Sequence, residues 1–441
     1  MAFQAVGVRA LVALPALLLA DDMGLGKTVQ AIAALRVLHH RGDLGGALVV
    51  VPAGLMAQWR RAFRRWAPEL SVSVVRGPAI DRAWQWRAPT HIHLAAYDVV
   101  RSDLTENPAS PPRRAWGVVV LDEAQRIKNR DTATARAVKS LPRRRAWALT
   151  GTPLENGADD LASVCEFLTP WQEGQVRPRL SPGPSLRARH RELQVRRRKV
   201  DVLPDLPPKR LVDVDIELGD EQRRAYERAE REGIVRLRAL GRDVRVVNVL
   251  ELITRLKQIC NVCPVSGRSS KLDDLEDRLD VLEAEGHRAL VFSQYIGAEG
   301  VAAIEGRCSR FHPLCYTGAQ SVAERDQALR RFAADPRHRL LVLSLRAGGQ
   351  GLNLAGASYV FHFDRWWNPA VERQAEDRAH RMGQKLPVTV YAYRCVGTIE
   401  EGIDAILRTK QALFDEVVDG VSLDLSRLLS REELLGVFDL A

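Results

Sequence analysis

The segment Asp21-Asp22-Met23-Gly24-Leu25-Gly26-Lys27-Thr28 carries the residue types that grip a triphosphate. It follows the apolar run Leu17-Leu18-Leu19-Ala20 and precedes a helical pattern of Val29, Ile32, Ala33, Leu35 and Leu38. Strand, glycine turn and helix aim backbone N–H groups and a helix N-terminus at phosphate oxygens. Gly24 and Gly26 let the backbone approach, Lys27 is placed to reach the β- and γ-phosphates, and Thr28 to ligate Mg²⁺. The general phosphate-loop pattern has Gly where this chain has Asp21, and the competing reading is a glycine turn before an ordinary helix. A second element supplies the acids that such a loop requires. Val118-Val119-Val120-Leu121 delivers Asp122 and Glu123 at its carboxyl end, where α/β sheets bind ligands. Asp122 is expected to hold Mg²⁺, and Glu123 to orient and deprotonate an attacking water. Alone, an Asp-Glu after a strand is a turn or helix cap; paired with the upstream loop it becomes half of an ATP site.

Such groups need a scaffold. Two stretches alternate short apolar runs with amphipathic helices, the pattern of parallel α/β sheets. Strands are expected over Ala16–Ala20, Ala47–Val51, Ser71–Val75, His91–Tyr97, Val118–Asp122 and Ala146–Thr150 in the first stretch. In the second they are expected over Ala289–Ser293, Leu340–Leu345, Tyr359–Asp364 and Val388–Tyr393. Continuous Val- and Leu-rich runs fit strands covered on both faces. Residues 171–210 are rich in Pro and Arg and read as an irregular connector, whereas 220–260 read as helical. The expected layout is therefore a first lobe at 1–169, a linker and helical insertion at 170–268, a second lobe at 269–415 and a helical tail at 416–441. A helix over Ser270–Glu285, capped by Ser270 and ended by Gly286, turns Leu272, Leu275, Leu279 and Leu282 to one core-facing stripe.

Composition bounds the class. At 441 residues the chain exceeds one ordinary core, since domains run to roughly 150 residues. A net charge of +10 and a pI near 9.5 favour a polyanionic partner, without separating DNA, RNA, anionic membrane or plain solubility. Six scattered cysteines suit a reducing compartment. Cys260-Asn261-Val262-Cys263 has the spacing of half a zinc site but no second pair, which favours buried side chains at a helix end. The apolar Ala10–Ala20 runs straight into Asp21, so it reads as a buried first strand rather than a targeting signal. No run approaches the ~20 residues that span a bilayer, and a cytoplasmic, nucleoid-associated location with no membrane partner is expected.

With these residues in place, the sequence resembles the Swi/Snf-type ATPases, the chromatin-remodeller branch of the superfamily-two helicases. Ala20 through Thr28 is similar to the family's first motif, with Asp21 in its usual place. Leu48-Val49-Val50-Val51-Pro52 followed by Trp59 resembles motif Ia, Asp122-Glu123-Ala124-Gln125 its acidic box in the Gln-ending form, and Leu149-Thr150-Gly151-Thr152-Pro153-Leu154-Glu155-Asn156 motif III. Val291-Phe292-Ser293-Gln294 and Tyr316-Thr317-Gly318 resemble its nucleic-acid-facing segments. Ser344-Leu345-Arg346-Ala347-Gly348-Gly349-Gln350-Gly351-Leu352-Asn353-Leu354 resembles motif V. Asp364-Arg365-Trp366-Trp367-Asn368-Pro369 and Gln374 through Gln384 resemble the segment ending in motif VI.

The resemblance implies an α/β fold of two RecA-like lobes, each a mainly parallel sheet with helices on both faces, joined by a helical and irregular insertion. It implies ATP and Mg²⁺ as cofactors and a monomer that translocates on double-stranded DNA and remodels protein–DNA complexes. Gln4, Asp22, Met23, Gly24, Leu25, Gly26, Lys27, Thr28, Gly349, Gly351 and Gln374 are then the expected nucleotide contacts. Lys27, Asp122, Glu123, Gln125, Arg378 and Arg381 are the expected catalytic residues. Gln374, Arg378 and Arg381 would share one helical face, and arginine fingers can contribute ~10³-fold or more to rate. Only Phe3-Gln4 stand for the family's upstream adenine-contacting segment, the connector at 170–200 is short, and no bromodomain or chromodomain is present.

Trp59, Ser293, Gln294, Thr317, Gly318, Arg346, Asn353, Trp366 and Trp367 are the expected DNA contacts. A helix over 54–66 would turn Leu55, Trp59, Phe63 and Trp66 to the core and Arg60, Arg61, Arg64 and Arg65 outward, either to solvent or to DNA. Arg143–Arg145 and Arg196–Arg198 carry the same two readings. Backbone contacts would make DNA binding salt-dependent and largely sequence-independent. Competing functions are a strand-separating helicase, an RNA-polymerase recycling ATPase with polymerase or other DNA-bound proteins as partners, and a non-motor scaffold switched by ATP.

Overall fold

The computed structural model describes the chain apart from residues 107–111, 113, 152–157, 172–174, 176–178, 182, 349–351, 367–368, 407–435, 437 and 439–441. The described residues divide into two compact units, Met1–Pro204 and those from Asp205 on. The segment expected as a separate insertion at 170–268 is thus shared between the units. The expected tail at 416–441 lies outside the described residues except for Gly436 and Phe438.

Among its described residues the first unit holds seven strands: β1 (Ala16–Leu19), β2 (Ala47–Val51), β3 (Val72–Val75), β4 (Ile92–Ala96), β5 (Trp116–Asp122), β6 (Arg143–Leu149) and β7 (Gln194–Val195). Their order is β3-β4-β2-β5-β6-β1-β7, with every pair parallel. Side chains alternate across a strand, and both faces are buried here. Leu18, Val50, Val119 and Ala148 join one core with the helices Tyr97–Thr105 and Ala158–Leu168. Leu17, Val49, Val120 and Trp147 join the other with the helices Lys27–His40 and Met56–Trp66.

The second unit holds β8 (Lys209–Ile216), β9 (Ala289–Ser293), β10 (Leu314–Tyr316), β11 (Leu340–Ser344), β12 (Tyr359–His362) and β13 (Val388–Cys395). The order β10-β11-β9-β12-β13-β8 is again parallel throughout. Leu290, Phe292, Leu341 and Val360 pack on Phe332 of the helix Val322–Ala334, while the alternate Val291, Val342 and Phe361 are equally buried. The helices Asp220–Leu240 and Val246–Asn261 occupy the stretch expected to be helical.

Three strands escaped the sequence reading. β7 and β10 are too short to show a period, and β8 mixes Lys, Arg and Asp with its apolar residues because it is an edge strand exposed along its first five positions. The apolar start is also not one strand. Ala2–Ala13 is helical, and β1 begins only at Ala16, after Pro15 holds Leu14 extended at φ −97° and ψ 141°. The cap of the helix Ser270–Ala284 is Ser269, whose hydroxyl accepts from the Leu272 N–H, rather than Ser270. The Leu272, Leu275, Leu279 and Leu282 stripe is buried as expected. No helix among the described residues is long and apolar enough to cross a membrane.

Candidate active site

β1 ends at Leu19, and the chain turns through Gly24 and Gly26, at φ 87° and 77°, into the helix Lys27–His40. A side chain rarely tolerates those angles, so glycine is required at both turns. The Lys27 ammonium donates to the carbonyls of Asp21 and Asp22 at 2.6 and 3.1 Å. Desolvation lowers its pKa, against the opposing pull of the Glu123, Asp21, Asp122 and Asp22 carboxylates. Met23 and Leu25 are buried beneath the turn, and Asp22 and Thr28 are half-buried. The end of β6 closes over the loop: a Cβ at Gly151 would lie 2.4 Å from Met23 Cγ and 3.2 Å from Lys27 Nζ.

β5 brings Asp122 and Glu123 to the same end of the sheet. The Trp59 indole N–H donates to Asp122 Oδ2 at 2.7 Å, the Glu123 N–H to Oδ1 at 3.0 Å, and the Tyr97 hydroxyl to the Asp122 carbonyl at 2.8 Å. Burial and the charge of Glu123 push the Asp122 carboxyl up to about 7, against the lowering effect of the Trp59 hydrogen bond and the Lys27 charge. A carboxylate so placed gains from a cation beside it, so the buried Asp122 with the half-buried Glu123 fits a divalent ion between protein and phosphate. Thr28 and Asp122 are the residues that would hold it. Glu123 adopts the left-handed region, φ 51° and ψ 55°, unusual for a residue with a side chain. Its Oε2 accepts from Gln125 Nε2 at 2.8 Å, and Gln125 Oε1 accepts from the Thr150 hydroxyl at 3.0 Å. Thr150, Gln125 and Glu123 thus form one hydrogen-bonded line that aims the carboxylate.

Behind the loop lies Arg197, read from the sequence as facing solvent or DNA but half-buried instead against the loop's first carboxylate. Arg197 forks onto Asp21, with Nε to Oδ1 at 2.8 Å and Nη2 to Oδ2 at 2.5 Å. Nη2 also donates to Gln30 Oε1 at 2.9 Å, and Nη1 to the Phe3 carbonyl. Asp21, the misfit in the generic pattern, is wholly buried and partnered. The Pro- and Arg-rich composition of the connector hid this role; the periodicity of its short strand β7 was too brief to reveal it.

Gln4 is half-buried, and its amide donates to the Leu25 carbonyl at 3.2 Å, so the Phe3-Gln4 segment reaches the loop. Trp59 has no exposed surface, which removes it from the expected DNA contacts and makes it an orienter of Asp122. In the same helix Trp66 is exposed rather than in the core, as are Arg61, Arg64 and Arg65. Arg143 is buried against carbonyls of Leu141 and Phe167, Arg145 donates to the Val12 carbonyl, and Arg198 pairs with Asp201.

In the second unit Ser293 is also wholly buried, donating to Asp364 Oδ2 at 2.5 Å, and Thr317 is buried with its N–H on Gln320 Oε1. Neither side chain is free for DNA. Gln294 is half-buried, with its N–H on Asp364 Oδ1, while Gly318 and Asn353 are exposed. Trp366 is half-buried against the core, its N–H on Glu372 Oε1 at 2.7 Å. Gly349, Gly351, Trp367 and the motif residues 152–156 lie outside the described residues, as does the side chain of Arg346. Gln374 is half-buried in the helix Pro369–Glu376, but that helix stops before Arg378 and Arg381. The expected single helical face is replaced by turns in which the Arg378 carbonyl accepts from the Leu354 N–H, and Arg381 Nη1 donates to the Leu352 carbonyl at 2.9 Å. Both arginines therefore brace the motif around Leu352–Leu354. Desolvation, then the charge of Arg378, lowers Arg381 to about 10.

Cys260 and Cys263 are buried at the end of the helix Val246–Asn261. Cys260 lies near Cys395 and Glu400, but Glu400 is already paired with the buried Lys271 ammonium at 2.8 Å. A lysine cation competes with any metal there.

Comparison with known proteins gives consistent matches. The SNF2-related domain matches residues 4–265, and the helicase conserved C-terminal domain matches residues 270–383. YwqA of Bacillus subtilis (strain 168) is 34% identical over 96% of this chain and 48% of its own length. The human SWI/SNF-related matrix-associated actin-dependent regulator of chromatin subfamily A member 1 is 31% identical over 95% of this chain and 43% of its own. The chain spans less than half the length of these curated relatives. The Sulfolobus solfataricus SWI2/SNF2 ATPase core solved in complex with dsDNA is 30% identical, covering 100% of this chain and 97% of that one, at a TM-score of 0.44.

Proposed function

Because the chain belongs to the SNF2-related family, we propose that it is an ATP-hydrolysing motor that translocates on double-stranded DNA and remodels protein–DNA complexes. The observation that carries the hydrolytic part is the hydrogen-bonded line Thr150–Gln125–Glu123, set beside Asp122 and the Lys27 ammonium. Lys27 and the amides of the glycine loop bind the triphosphate, and Glu123 takes the proton from water. Mg²⁺, held by Thr28 and Asp122, would neutralise charge on the phosphates. Gln4 is the proposed adenine contact, and Arg378 and Arg381 are the second unit's contributions to turnover.

The DNA part is supported by the family motifs of the second unit and by the net charge of +10. Gln294, Gly318, Asn353 and Trp366 remain its proposed contacts, and DNA-bound proteins its proposed targets.

The deciding experiment is steady-state ATP turnover with duplex DNA, single-stranded DNA or RNA added. The expectation is stimulation by duplex at least about tenfold, exceeding the other two. Equal or greater stimulation by single strands or RNA would favour the strand-separating helicase, and absence of any turnover would leave only a nucleotide-switched scaffold.

A further inference from the structure

We infer that Arg197 is a positioning residue for nucleotide binding, holding the first two residues of the glycine loop from a segment 176 residues away in sequence. The inference rests on the ATP reading above.

Three separate anchors join the loop to this segment. The Asp21 carboxylate takes the Arg197 fork, the Asp22 N–H donates to the Arg197 carbonyl at 2.9 Å, and Asp22 Oδ2 accepts from the Lys199 N–H at 2.9 Å. β7 adds a strand beside β1, and the Ala20 N–H continues it onto the Val195 carbonyl at 2.8 Å. The loop's entry is therefore bound through a side chain, a backbone amide and a carboxylate at once.

Those two residues are also the ones whose carbonyls hold the Lys27 ammonium. A shift of Asp21 and Asp22 moves Lys27 with them. The same guanidinium reaches Gln30 in the helix that follows the loop, and Gln30 in turn donates to Asp21 Oδ2 and to the Leu25 carbonyl. Arg197 thus links the start of the loop, its tip and the helix behind it. Gly7 leaves room for this: a Cβ there would lie 2.0 Å from Gln30 Oε1 and 2.8 Å from Arg197 Nη2. Planar, bidentate donors suit arginine and not lysine.

Asp122 and Glu123 are held instead by Trp59, Tyr97, Gln125 and Thr150. Loss of Arg197 therefore acts on nucleotide binding more than on the hydrolytic step. A clamp serving stability alone would lower the melting temperature and leave KM untouched.

Removing Arg197 by itself strands the buried Asp21 carboxylate and can unfold the unit. The test therefore uses Asp21→Asn/Arg197→Gln, which removes both charges and keeps hydrogen-bonding shape, beside Arg197→Lys. Folding is checked by circular dichroism, and ATP turnover is titrated at a temperature where each variant is folded. The double variant is expected to raise the KM for ATP at least tenfold with kcat within threefold, and Arg197→Lys to lie between it and the unaltered chain. A folded double variant whose KM stays within twofold, or whose loss is in kcat alone, overturns the inference. If the unaltered chain itself neither binds nor hydrolyses ATP, the ATP reading falls and takes this inference with it. An active unaltered chain matched by the double variant sinks the role of Arg197 only.

Discussion

The Trp59 indole N–H reaches Oδ2 of Asp122 at 2.7 Å, across 63 residues of sequence, so a fully buried tryptophan fixes the direction of the carboxylate proposed to hold Mg²⁺. Trp59→Phe keeps most of the apolar packing and deletes the donor. The hydrogen bond orients the Asp122 carboxylate, so its loss is expected to raise the Mg²⁺ concentration needed for half-maximal turnover. At neutral pH kcat/KM should fall about tenfold, the equivalent of the ~1.5 kcal/mol of a hydrogen bond to a charged group. An unchanged Mg²⁺ requirement would show that Trp59 only packs.

Asp122 also makes stability depend on pH. Its carboxyl is raised from 3.8 to about 7 in the folded chain. Between those values the folded chain keeps a proton that the unfolded chain has released, so stability from this group is present below about pH 4 and lost as pH rises towards 7. Asp122→Asn is expected to exceed the unaltered chain in stability at pH 8, without Mg²⁺, by on the order of 4 kcal/mol. The advantage should vanish at pH 4; urea unfolding at the two pH values measures it.

The line from Thr150 through Gln125 to Glu123 predicts a graded series. Thr150→Val removes the first donor and should cut kcat by about tenfold, with little change in KM. Glu123→Gln should abolish turnover while retaining nucleotide binding. Wild-type turnover in Glu123→Gln would reassign the base.

Arg381 donates to the Leu352 carbonyl from a turn, and desolvation lowers its pKa to about 10, still well above neutrality. Arg381→Ala is expected to lower DNA-stimulated turnover by ~10³-fold or more. Duplex affinity, measured by fluorescence anisotropy, should stay within threefold; a matching loss of affinity would assign Arg381 to DNA instead.

Lys271 and Glu400 form an ion pair with almost no exposed surface, and Lys271 also donates to Asn261 Oδ1 at 3.0 Å. Lys271→Met leaves Glu400 charged and buried, and should cost about 3–5 kcal/mol in urea unfolding. Lys271→Met/Glu400→Leu should recover most of that loss. Recovery would show that the stranded charge, rather than lost packing, is what destabilises the single variant.

Much of this protein was legible in the residues themselves because the signals are local. A glycine turn records its own φ angles, as Gly24 and Gly26 do, and the Val-rich run before Asp122 records a strand buried on both faces. The alternation of strands with helices likewise implied parallel sheets, since parallel neighbours need crossovers. Tertiary structure decided what depends on distant partners. It buried Trp59 and Ser293, ended the helix at Glu376 short of Arg378, and brought Arg197 onto Asp21 across 176 residues. One arginine of the run Arg196–Arg198 in a Pro-rich connector carries no trace of the carboxylate it will meet, because no periodicity encodes a contact between segments that only the folded sheet sets side by side.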